Sequence, residues 1–75
     1  MSENRQEFEA RIIATADYFH VCVHHGRRDR EYGDAPTLDE ARMVARRLAC
    51  DRPAMIYAVK AEGATHRSVH VENVS

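Results

Sequence analysis

"APTLDEARMVARRLACDRPAMIYAVKA", residues 35–61, changes period in its middle, and that change decides the fold class. Up to Ala49 the apolar residues Leu38, Ala41, Ala45 and Leu48 recur at helical spacing, and Val44 widens them into one stripe. Thr37 stands at the N-cap position, and Glu40 three residues later completes a capping box. Asp39 and Glu40 fall in the first turn and Arg46 and Arg47 near the end, as the helix dipole favours. Pro36 and Pro53 bracket the segment, so the pattern predicts one α-helix over about 37–51. Past Pro53, "AMIYAVKA" is too short for a second helix. It is apolar on both alternating faces, Met55/Tyr57/Val59 and Ile56/Ala58, which reads as a central strand.

Working outward, "EGAT" (62–65) supplies a glycine turn and "HRSVHVENV" (66–74) alternates again. Val69 and Val71 are expected on one face, with Ser68, His70 and Glu72 on the other, and the two strands form a hairpin. Upstream, "YFHVCVHH" (18–25) puts Phe19, Val21 and Val23 on one face and Tyr18, His20, Cys22 and His24 on the opposite one. "GRRDREYGDAP" (26–36) reads as a polar turn with a short strand around Arg30–Tyr32, ended by Gly33. Residues 7–16 read two ways. Phe8, Ala10 and Ile12 fit a strand, while Phe8, Ile12 and Ala16 fit an amphipathic helix, and the β-rich context that follows favours the strand.

The expected fold is therefore α+β with two layers, one helix packed on a small, mostly antiparallel sheet in the order (β)ββαββ. Seventy-five residues make one domain over 1–75, with the first six expected to be flexible. A chain of this size buries only ~60% of its extended surface, so a partner, a metal or cross-links commonly add to its stability. Two cysteines, Cys22 and Cys50, and a polar opening segment with no apolar leader point to free thiols in the cytoplasm. No apolar run approaches the ~20 residues needed to cross a bilayer.

A single helix covers one sheet face and leaves Tyr18, His20, Cys22, His24 and His70 on the other, which makes that row the candidate binding surface. As metal ligands these residues are weak candidates. Neighbours on one strand face stand ~6.6 Å apart, so His20 and His24 are ~13 Å from each other and cannot share a tetrahedral centre with Cys22 without a bulge. The further donors available are His70 or His66 from the last hairpin and Cys50 from the helix end, the last expected on the wrong side of the sheet, and paired CxxC spacing is absent. Imidazoles beside Cys22 could activate a thiolate. Yet the chain has no GxSxG elbow, HExxH pair or glycine-rich phosphate loop, so no catalytic residue and no cofactor are expected.

Arg27, Arg28 and Arg30 in the loop, with Arg42, Arg46, Arg47 and Arg52 from the helix region, form the nucleic-acid alternative, Tyr18 or Tyr32 offering a stacking plane. Six acidic residues between Asp29 and Asp51 interleave with them, and the net charge is −1, so the excess cationic field that phosphate binding draws on is missing. No family signature is specific enough to name. The expected role is that of a small, non-catalytic binding or regulatory module acting through protein contacts, with a protein partner or a homodimer as its assembly. Nucleic-acid binding stands as the alternative and His/Cys metal binding as a third.

Overall fold

The computed structural model describes residues 3–74. Its elements run α1 (Arg5–Ala14), β1 (Tyr18–His24), β2 (Arg30–Ala35), α2 (Leu38–Ala49), β3 (Ala54–Glu62) and β4 (Thr65–Val74). The strands form one sheet in the order β2-β1-β3-β4, every neighbouring pair antiparallel. The α+β class with a four-stranded antiparallel sheet is as expected, and the helix count is two. Among the described residues no helix is long and apolar enough to cross a membrane.

Helix α2 forms where its caps and stripe place it. The Thr37 hydroxyl accepts a hydrogen bond from the Glu40 backbone N–H at 3.2 Å, and Ala41, Ala45 and Ala49 are buried against the sheet. Small residues at those positions let the helix lie close, while Leu38, Val44 and Leu48 fill the flanks of the contact. The chain leaves α2 through Cys50, whose φ of +57° is one that L side chains resist. At the other tight turn, Gly63 occupies the first central position of a two-residue hairpin loop with φ +62°, the type II′ arrangement that glycine favours.

Three sequence readings are corrected. First, residues 7–16 lie in helix α1 and its C-terminal turn instead of a strand, so the order is αββαββ. Asn4 caps the helix, its side-chain oxygen accepting from the Glu7 N–H at 2.8 Å, and Arg5–Glu9 adds an i,i+4 ion pair. Helical spacing turns Ile12 fully inward to join Phe19, Val21, Val23 and Ile56 in the core. As a strand the segment would have buried Ala10, which is exposed. Of the six residues expected to be flexible, Met1 and Ser2 lie outside the described residues, Asn4 is the cap, and Arg5 and Gln6 belong to the first turn.

Second, Gly33 does not end β2. The strand continues to Ala35, and Gly33 lies beneath α2, where a Cβ would come within 2.8 Å of Val44 Cγ1. Third, a β-bulge between Ile56 and Tyr57 in the β3–β4 register shifts the end of β4. His70 still opposes Tyr57, but Glu72 opposes Ile56 and thus stands on the helix face. There it meets Arg42 in a two-pronged ion pair, with Nη2–Oε1 at 2.7 Å and Nε–Oε2 at 3.1 Å.

This pair ties α2 to the hairpin and makes stability acid-sensitive. Hydrogen bonding from Arg42 holds the Glu72 carboxyl below the usual carboxylate range, and the Arg42 charge adds to it. A folded-state pKa below the unfolded one gives stability that is complete above about pH 4.5 and is lost as pH falls through the folded value. The groups are about a third exposed, so solvent screening keeps the contribution small. Urea unfolding midpoints measured from pH 6 to pH 3 should fall further for the wild type than for Glu72→Gln. Parallel curves would show that the pair contributes nothing.

Both helices pack on the same side of the sheet, since Ile12 of α1 and Ala41, Ala45 and Ala49 of α2 share one core cluster with the inward residues of β1 and β3. The second helix therefore leaves the opposite sheet face as open as the one-helix reading had it.

Candidate functional site

The open face is set by register. In β1 the outward positions are Tyr18, His20, Cys22 and His24, and the neighbouring strands bring a partner to each. His20 lies between Asp34 of β2 and Tyr57 of β3, and Cys22 lies between Tyr32 and Met55. His24 opposes Arg30, and Tyr18 opposes Val59, beyond which comes Ser68 of β4. His70 stands across from Tyr57. The five sequence-expected residues thus share one face, and Arg30, Tyr32, Asp34, Met55, Tyr57 and Val59 join it without having been assigned to it from the sequence.

These side chains are held by one another. The His20 ring stacks on Tyr32, centroids 5.3 Å apart and planes at 25°, while its Nδ1 lies 2.8 Å from Asp34 Oδ1. Tyr57 meets His70 edge-on at 5.6 Å and donates its hydroxyl to the Met55 sulfur at 3.5 Å. His70 Nε2 is 2.8 Å from the Asn73 amide oxygen, and Cys22 Sγ is 3.7 Å from His24 Nε2. Cys22 and Val59 are only 8% and 7% exposed although no element lies over them. Tyrosine, methionine and histidine side chains lean over them and line a shallow depression of about 400 Å³.

A wall of tyrosines with a methionine supplies rigid apolar contact area, and the imidazoles, Arg30 and Asp34 supply hydrogen-bonding groups around it. For metal, His20 Nδ1 lies on Asp34 and His70 Nε2 on Asn73, and Cys22 with His24 makes only a pair. No group of three or more His, Cys, Asp or Glu side chains converges as a metal site among the described residues. Cys50 lies at the end of α2, exposed, and His66 is exposed at the start of β4, next to the hairpin turn.

The arginines divide. Arg27 and Arg28 project from the β1–β2 loop, and Arg30 reaches the open face at its edge. Arg42 is on the helix layer, engaged by Glu72 and by Asp39 at 3.2 Å, and Arg46 is exposed on the same helix. Arg30 and Arg42 therefore lie on opposite sides of the sheet. Comparison with protein-family models, with curated proteins and with solved structures finds no match to this chain.

Proposed function

We propose that the chain is a small, cytoplasmic, non-catalytic binding module that acts through protein contacts at its open sheet face and assembles with a second copy of itself. The observation that carries this reading is the composition of the face. All three tyrosines of the chain stand on it with Met55 and Arg30, its single carboxylate is Asp34, and no register position on it holds Lys or Glu. Aromatic residues, Met and Arg are the types enriched at protein interfaces, and Lys, Glu and Asp are those depleted there. Tyr32 at 57% exposure and Tyr18 at 36% present apolar area that nothing else in the fold covers.

Sedimentation of the wild type from about 1 µM to 1 mM, a span suited to weak interfaces, tests the reading. The expected result is a concentration-dependent dimer whose dissociation constant rises at least about tenfold in Tyr32→Ser, a loss typical of an aromatic anchor. A monomer throughout that range would overturn self-assembly. Affinity for a DNA or RNA duplex that falls steeply with salt, and collapses when Arg27, Arg28 and Arg30 are replaced by Ala, would transfer the function to the nucleic-acid alternative.

A further inference from the structure

The open face ends at an unpaired margin, strand β2, and the residues on that margin are complementary to themselves. We propose that two copies join edge to edge along β2, antiparallel about a two-fold axis at Tyr32, into one eight-stranded sheet. This inference rests on the self-assembly proposed above and specifies its geometry.

Two strands are edges, β2 and β4. β4 carries the bulge near Tyr57, a device that spoils further pairing. β2 keeps unbroken register with β1 from Phe19↔Ala35 to His24↔Arg30, so its outer side offers a straight ladder. A two-fold axis normal to the sheet keeps each residue on its own face, which allows only registers centred on a residue. Centred on Glu31, two like charges oppose each other. Centred on Gly33, Tyr32 faces Asp34 and Arg30 falls opposite Pro36, beyond the strand end. Centred on Tyr32, Arg30 of each copy opposes Asp34 of the other, and the two tyrosines meet on the open face. The Asp34 side chain is 63% exposed and uses only one oxygen toward His20, so its second oxygen is free for the arginine.

The helix layer adjoins the same margin. A groove of about 230 Å³ between α2 and the β2 margin is lined by Glu40, Met43, Val44 and Arg47 with Asp34 and Ala35. Met43 is 57% exposed there, the one helix residue among the exposed large hydrophobics of the described chain. The same axis sets α2 antiparallel to its copy on the shared helix side of the joined sheet. Charge complementarity between Arg30 of each copy and Asp34 of the other thus selects a second copy of this chain as the occupant. The product is a sheet ordered β4-β3-β1-β2-β2-β1-β3-β4, with all helices on one side and a doubled tyrosine–histidine face on the other.

The test is a charge swap read by sedimentation, with circular dichroism confirming the fold of each variant. Arg30→Asp places Asp against Asp34, and Asp34→Arg places Arg against Arg30, so each single variant should weaken the dimer about tenfold or more. An equimolar mixture of the two puts opposite charges back at both positions and should associate within about threefold of the wild type, as should the Arg30→Asp/Asp34→Arg double variant. Both Asp34 variants lose the acceptor for His20, so recovery in the double variant is read against the Asp34→Arg single. A wild-type monomer would overturn both this geometry and the reading it rests on. A wild-type dimer whose strength is indifferent to the swaps would overturn the β2 pairing alone and leave assembly to another part of the open face.

Discussion

Ile12→Ala is expected to lower the free energy of unfolding by about 3 kcal/mol, within the range for truncating a fully buried isoleucine. Ile12 has no exposed surface and is the one buried residue of α1, so it alone anchors that helix in the shared core. Phe8, Ile13 and Ala16 only lean against the core's edge and cannot close the cavity that the lost methyls leave. A 75-residue domain at 0.05–0.15 kcal/mol per residue has roughly 4–11 kcal/mol in total, so the substitution removes a quarter or more of it. Urea unfolding measures the loss, and amide exchange in α1 should accelerate more than exchange in β1. The comparison variant is Ile13→Ala, whose half-buried side chain should cost clearly less. Equal costs for the two would mean that α1 does not seat on the sheet through Ile12.

The weight carried by Ile12 also explains where sequence reading stops. Helix α2 was legible because its cap, stripe and dipole charges agree within one local window. The alternation of β1 was equally local, and with it the grouping of Tyr18, His20, Cys22 and His24 on one face. Helix α1 has the same kinds of signal in weaker form, an Asn4–Glu7 cap and an Arg5–Glu9 pair, but both periodicities fit its apolar residues. What settles it is non-local: the sheet has four strands without it, and the core needs one more side chain over the β3–β4 end. Glu72 was misplaced for a related reason, since one inserted residue reverses the facing of everything beyond it and leaves no trace in composition.

The partners of the histidine row were illegible on the same grounds. Asp34 and Tyr32 reach His20 only because β2 pairs with β1 from one side, while Tyr57 and Met55 arrive because β3 pairs from the other. That strand order follows from the β2–α2–β3 connection, which lays β2 and β3 parallel on either side of β1. The same connection leaves β2 at the margin. Sequence alternation therefore identified a surface, and topology decided which residues complete it and which edge is left to pair.

Gly33→Val is expected to destabilise the fold by about 2–3 kcal/mol, the upper part of the range for overfilling a packed contact. The backbone does not demand glycine here, because φ at Gly33 lies outside the left-handed region. The conflict is steric: a Cβ would lie 2.8 Å from Val44 Cγ1 and 3.1 Å from Leu48 Cδ1. Leu48 can swing its end aside, but Val44 is β-branched and held to one rotamer in a helix, so α2 itself must lift. Valine's preference for strands offsets part of the cost and cannot remove the overlap. Val44→Ala clears the space, so the Gly33→Val penalty measured in a Val44→Ala background should shrink by about 1 kcal/mol or more. Additive costs would place the damage in β2 instead of the helix contact.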